Sequence, residues 1–367
     1  MGGAIRHLTN FLPELSRQDQ TREYMVSVSE SFPEIAVGKN MKLERVSKKH
    51  TSTWFHRTAY DVIRLPERLK REKFDAIVSL LNFGPIKCPI PHIIFQRNSL
   101  YYCPHYLNNL GVKEKMMVML RRRLAVESMK RADLVVTPSN AMANMIKTAC
   151  PEVNDRHFYT LYHGFDFEKA QVNPRKNING ACFRKPLLFY PSHLGDYKGF
   201  RILFEAVRIL KEKIHSFQVV LTIGREDGVA LYKRYDAIVQ KYDITENIKM
   251  LGSVDQHKIN DYYQISDALI YPSLCESFGF ALLEAMGASL PIVAGDTPVN
   301  REICDTAAAY YQVTDPADCA AVLEKVINSS SLREQLTQNG QMRLRAKDWS
   351  WSRYTKEFCG LIQEVTR

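Results

Sequence analysis

The chain has 367 residues, of which 45% are hydrophobic and 25% charged, with a net charge of +10. At roughly 100–200 residues per domain this length makes about two domains, and the balance excludes a disordered or collagen-like chain. No uncharged apolar run approaches the roughly 18–20 residues that span a bilayer, and the opening MGGAIRHLTNFLPEL lacks the basic head and apolar core of a secretory signal.

The charge is unevenly placed. Residue 175 falls in NPRKNING, which reads as a linker. Residues 1–175 carry 27 Lys+Arg against 17 Asp+Glu, whereas residues 176–367 carry 23 of each. The whole excess lies in the first half and points to an anionic partner there, although a solvated basic face has the same composition. No RNA-binding signature or interleaved base-stacking aromatics accompany it, so no nucleic-acid partner is expected. The eight cysteines include no pair two to four residues apart, and the ten histidines no helical pair. No metal site is expected, and the cysteines read as buried thiols of a reducing compartment.

In chain order, a glycine turn, Gly2-Gly3, comes first, and Ile5, Leu8, Leu12 and Leu15 set a helix face. A doubly wound domain ordinarily opens with a strand before such a turn. That strand is missing, which means a truncated start or an edge built differently. An absent central strand would leave its neighbours' ladder groups unpaired. Residues 75–81, 92–96, 133–137 and 158–163 read as buried strands. Residues 113–131 (KEKMMVMLRRRLAVESMKR) form a basic amphipathic helix, suited to a membrane surface or, through its Met stripe, to core packing. Ser139 caps a helix to residue 147.

The second half alternates strands at 186–190, 218–223, 248–251, 268–271 and 291–294 with helices at 198–213, 229–241, 256–263 and 279–286. Residues 350–366 form a last amphipathic helix. Such alternation predicts an α/β chain with two Rossmann-like, doubly wound domains. Ligands of such sheets lie beyond the strands' carboxyl ends.

The segment from Tyr271 to Gly287, YPSLCESFGFALLEAMG, carries the densest chemistry. A strand ends at Pro272, a loop holds Glu276, and Gly279 allows close backbone approach where a helix begins. Unpaired amides at a helix start favour phosphate. Glu276 and Glu284 are eight residues apart, which on one helix is an offset of about 80°. With Glu276 in the loop, both can line one ligand at different points. Each carboxylate suits a vicinal diol, and a nucleotide-sugar has two diols.

These residues, with Leu251-Gly252-Ser253, Ser266-Asp267-Ala268, residues 291–294 and 298–302, and His163-Gly164 further back, resemble the retaining GT-B glycosyltransferases of the group 1 type, glycosyltransferase family 4. The resemblance implies two Rossmann-like domains facing across a cleft: 1–175 for the acceptor, 176–349 for the nucleotide-sugar, and a helix at 350–367 crossing back to the first. It implies Glu276 beside the donor sugar, Glu284 on the ribose hydroxyls and Lys198 on the diphosphate, with Gly224, Ser277, Phe278, Gly279 and Phe280 around the donor. His193 stands where the family usually has an arginine, and Ser277 where it has glycine. Gly2 and Gly3 resemble the family's diphosphate-facing loop. Arg97, Asn98 and His163 fall on the sugar or acceptor side, with no match to the family's histidine there.

The expected activity is retaining, metal-independent transfer of a sugar from a UDP- or GDP-linked donor to a glycan or lipid-linked acceptor. It needs no cofactor and takes place in the cytoplasm, with peripheral attachment to anionic membrane and a role in polysaccharide or lipopolysaccharide synthesis. An epimerase on the same fold and a degenerate, non-catalytic glycan- or partner-binding protein are the alternatives.

Overall fold

A computed structural model describes residues 3–47, 56, 59–165 and 183–367. Gly2 and the expected linker at residue 175 lie outside them. The fold is mixed α/β with parallel sheets and divides into two compact units.

Unit 1 comprises Met1–Cys103, Leu110–Asp166 and Trp349–Arg367. It starts with α1 (Gly3–Gln18), β1 (Tyr24–Ser29), β2 (Met41–Val46), α2 (Leu65–Arg71), β3 (Ile77–Ser79) and β4 (His92–Phe95). Then follow α3 (Val112–Arg131), β5 (Leu134–Thr137), α4 (Asn140–Ala149) and β6 (Phe158–Thr160). The Ser139 hydroxyl accepts from the Met142 amide and caps α4 as expected.

The described strands of unit 1 form two separate sheets, β1-β2 and β3-β4-β5-β6, all parallel. One apolar cluster nevertheless gathers residues from both: Val28 and Met41 from the first, Ile93, Phe95, Leu134 and Val136 from the second. Among the described residues no strand joins the two sheets. The consequence is visible in burial. Every residue of β4 and β5 is buried, but Ile77, Val78 and Ser79 are half-buried, because β3 pairs only with β4. The strand expected over 158–163 likewise shortens to a half-buried edge at 158–160. The buried stripe of α1 is also rotated from the expected one. His7, Phe11, Leu12 and Leu15 are buried, while Ile5 and Leu8 are half-buried.

Unit 2 comprises Pro104–Asn109 and Phe167–Asp348. Its elements are β7 (Leu187–Tyr190), α5 (Phe200–Leu210), β8 (Gln218–Leu221), α6 (Val229–Lys241), β9 (Ile248–Met250), α7 (Gln256–Ile265) and β10 (Ala268–Tyr271). After these come α8 (Phe280–Gly287), β11 (Ile292–Gly295), α9 (Pro298–Cys304), β12 (Ala308–Tyr311), α10 (Pro316–Asn328) and α11 (Ser330–Arg345). The last helix, α12 (Trp351–Val365), packs on α1 in unit 1.

The strands of unit 2 make one parallel sheet in the order β12-β11-β10-β7-β8-β9. β7, β10 and β11 are buried throughout, as strands covered on both faces must be. From β7 the chain winds outward to β9, then returns to β10 on the other side of β7. The order therefore reverses between β7 and β10, and the loops leaving these two strands flank the reversal, where such sheets bind ligands.

Cys150, Cys304 and Cys319 are buried free thiols, and Cys88 and Cys359 half-buried ones.

Candidate functional site

Lys198 and Glu276 occupy the two loops at the reversal. Lys198 ends a short turn, Asp196–Lys198, after β7. Gly199 follows at φ +72°, a left-handed conformation that favours glycine. A Cβ at Gly199 would run into the Pro272 carbonyl oxygen, so the turn lies directly against the loop after β10. Two hydrogen bonds hold the arrangement. The Tyr190 hydroxyl donates to the Lys198 carbonyl at 3.0 Å, and the Leu274 amide donates to the Tyr197 carbonyl at 2.8 Å.

This lacing brings the Lys198 Nζ to 2.7 Å from Glu276 Oε1, with side chains 12% and 16% exposed. The Ser273 hydroxyl donates to the same oxygen at 2.6 Å. Burial by itself raises the Glu276 pKa. The Lys198 charge and hydrogen bonds from Lys198, Ser273 and Tyr271 outweigh that and leave it below the usual carboxylate value. Glu276 is thus held ionised in a mostly dry place.

Gly279, at φ +91°, starts α8, and Phe278 packs edge-on against Phe280 with centroids 5.2 Å apart. Phe278 is buried, while Ser277 and Phe280 are half-buried. Glu284, on α8, is buried, and its Oε2 accepts from the Tyr263 hydroxyl at 2.8 Å. Lys198 and Glu276 are in direct contact, whereas Glu284 is engaged by α7. Nearby, the Gly224 amide donates to Asp227 at 3.1 Å, and Glu226 accepts from the Ser253 amide, tying the loop after β8 to the one after β9.

His193 is exposed, with Nε2 2.7 Å from the Tyr197 hydroxyl. Loss of water around the ring and the Lys198 charge lower its pKa, against a weaker pull from Glu276 and Asp227. It is a neutral imidazole at neutral pH and supplies no substitute for an arginine's charge.

In unit 1, Gly3 is the first residue of α1. The Arg97 and Asn98 amides both donate to Asn82 Oδ1, at 2.7 and 2.9 Å. The Asn98 side chain accepts from the Leu100 amide. The Arg97 Nη2 lies 3.1 Å from both His7 Nε2 and the Tyr354 hydroxyl. His163 is buried beside His7, ring centroids 4.8 Å apart.

The first half of α3 stands in solvent. Val112, Met116, Met119 and Leu120 are 78%, 67%, 42% and 41% exposed and share one face, with Lys113, Lys115 and Arg123 exposed around them. Val118 is buried in that half, but most of the anchoring comes from the second half, through Ala125, Val126, Ser128 and Met129. The leading Met run is therefore not core packing.

Sequence reasoning missed Ser273, Tyr263, His7 and Tyr354. Ser273 lies three residues before Glu276, and His7 one turn before the buried Phe11; Tyr263 and Tyr354 carry no local signal. Among the described residues no group of three or more His, Cys, Asp or Glu is placed to hold a metal ion, and no helix is long and apolar enough to cross a membrane.

A family model described as "Glycosyl transferases group 1" matches residues 175–343, the larger part of unit 2. The chain is 29% identical over 169 residues to a phosphatidyl-myo-inositol mannosyltransferase of Mycobacterium leprae, a match covering 45% of this chain and 43% of that protein. The chain spans about half the length of the curated relatives it matches. Among solved structures, sucrose-phosphate synthase of Thermosynechococcus elongatus aligns with a TM-score of 0.74 at 15% identity, over 99% of this chain and 94% of that one. HepE of Anabaena, solved with UDP and glucose, aligns with a TM-score of 0.71 at 16% identity, over 99% and 96%. At these identities the likeness is one of fold, the GT-B glycosyltransferase fold.

Proposed function

We propose that the protein is a glycosyltransferase that moves a sugar from a nucleoside diphosphate donor to a glycan or lipid-linked acceptor, with retention at the anomeric carbon. The observation that carries this reading is the Lys198–Glu276 pair at the strand-order reversal of unit 2, beside the start of α8. The match of residues 175–343 to group 1 glycosyl transferases supports it, and the UDP held by HepE supports a UDP-linked donor.

In the proposed reaction the bond from the anomeric carbon to the donor phosphate breaks, and negative charge builds on the diphosphate. Lys198 and the amides at the start of α8 stabilise that charge, so the reaction runs on protein groups without a divalent cation. The ionised Glu276 faces the positive charge that develops on the sugar ring. The acceptor hydroxyl attacks from the face the diphosphate leaves, and its proton passes to the departing phosphate oxygen. Among the described residues no second carboxylate touches Glu276, which favours this route over the paired-carboxylate double displacement of retaining glycosidases. Glu284, positioned by Tyr263, would hold the ribose hydroxyls.

The exposed apolar and basic face of α3 is suited to lie on an anionic membrane at the inner face of the cell membrane, where a lipid-linked acceptor would be met. Flotation with vesicles containing anionic phospholipid tests this. Salt-sensitive binding that is lost on Met116→Asp is expected, and its absence would remove the membrane from the account.

Nucleotide release from a panel of UDP-, GDP- and ADP-sugars, with and without glycan acceptors, tests the activity. Turnover of one donor class is expected. Binding of nucleotide without turnover would instead favour a non-catalytic binding protein.

A further inference from the structure

Among the described residues Arg97 is a cation without a counter-charge. Its side-chain polar contacts are the His7 ring and the Tyr354 hydroxyl, both reached from Nη2, and no carboxylate among the described residues lies within ion-pair distance. Its Nε is buried and unbonded. Most of the five guanidinium donors are therefore unspent. The two described contacts supply no negative charge. His7 is 1% exposed, and burial, then the charges of Arg97 and His163, keep its ring neutral. Tyr354 is fully buried and its hydroxyl is held un-ionised. His7 Nδ1 is likewise buried without a partner. Burying a charge is costly unless it is paired. A fold that holds a guanidinium in this way, with the residue still half-open to solvent, leaves room for an anion to complete it.

We propose that Arg97, backed by His7 and Tyr354, is an oxyanion-binding site in unit 1, taking a carboxylate or phosphate group of the substrate. Two parallel N–H donors of a guanidinium match two oxygens of such a group. The identity of the anion's carrier rests on the proposed glycosyl transfer; the binding itself does not. Arg97 belongs to unit 1 and Lys198 to unit 2.

The test is thermal melting and calorimetry of the full chain with inorganic phosphate and with sodium D-glucuronate, against sodium chloride at equal ionic strength. Lys198→Ala removes the ammonium of unit 2 that would also attract phosphate. One or both anions are expected to raise the melting temperature of the wild type and of Lys198→Ala alike. Arg97→Gln should abolish that rise, with a loss in affinity of roughly tenfold to a hundredfold. Arg97→Lys, which keeps the charge and loses the fork, should fall between, and serves as the readout if Arg97→Gln does not fold. Phosphate alone stabilising would identify a phosphorylated substrate, and glucuronate alone an acidic sugar. If neither anion stabilises beyond chloride, or the rise disappears in Lys198→Ala and persists in Arg97→Gln, the proposal is overturned. The nucleotide-release panel is unaffected by either result, so the two readings fail separately.

Discussion

Lys198 and Glu276, 78 residues apart in the chain, form an ion pair at 2.7 Å. Each comes from the loop after one of the two strands between which the sheet order of unit 2 reverses. Both charges are mostly removed from water, so each depends on the other, and in the proposed reaction a donor diphosphate would share or displace Glu276 as the partner of Lys198.

Removing one partner should therefore cost stability. Lys198→Ala leaves the Glu276 carboxylate buried and unpaired, and an unfolding free energy about 2–4 kcal/mol lower is expected in urea denaturation. Adding Glu276→Gln should restore part of that loss. Turnover of the active donor should fall by at least about a hundredfold in Lys198→Ala, the scale for losing one group that stabilises a developing anion.

The turn that carries Lys198 should tolerate no side chain after it. Gly199→Ala combines φ +72° with a collision against the Pro272 carbonyl. A loss of about 1–3 kcal/mol is expected, together with weaker donor binding. Gly360 supplies the contrast. It lies inside α12, where an added Cβ meets nothing within 4 Å, and Gly360→Ala should stabilise by about 0.5–1 kcal/mol. Thermal melts of both variants check this.

His92 sets a pH dependence in unit 1. Burial pulls its pKa down to about 4, with Asp133 acting weakly the other way, and its Nε2 lies 2.9 Å from the Ser79 hydroxyl. The unfolded chain protonates this histidine near pH 6.5 and the folded one only near 4. Stability is therefore full above about pH 6.5 and declines as pH falls toward 4, by about 3 kcal/mol over that window. Urea denaturation at pH 7 and 4.5 should show a shallower decline for His92→Gln than for the wild type.

The division of unit 1 into two sheets should appear in hydrogen exchange. Amides of β1, β2 and β3 are expected to exchange well before those of β4 and β5, whose ladders are flanked on both sides. Equal protection across all of these strands would mean that the gap between the sheets is closed in solution.

Much of unit 2 was legible because its strands are short aliphatic runs bounded by glycine, proline and caps, and because Glu276, Gly279 and Glu284 sit in one continuous segment. The pairing of Lys198 with Glu276 was not legible, since it depends on two loops meeting through Gly199 and Pro272. Unit 1 was harder. β1, YMVSVS, is interrupted by exposed serines, and β2, MKLERV, by charged residues, so neither reads as a buried strand. The Met run of α3 read more readily as a core face than as a membrane face, and only exposure distinguishes them. His7 was passed over because a histidine among leucines on a helix face signals neither core nor chemistry until Arg97 and Tyr354 are seen against it.

The most direct measurement is calorimetric binding of UDP- and GDP-sugars to the wild type, Lys198→Ala and Glu284→Gln. The account predicts that at least one of these donors binds the wild type, at least about tenfold more weakly to Lys198→Ala, and more weakly again to Glu284→Gln than to the wild type. Failure of every nucleotide-sugar to bind the folded wild type, or undiminished binding when Lys198 is removed, would contradict it.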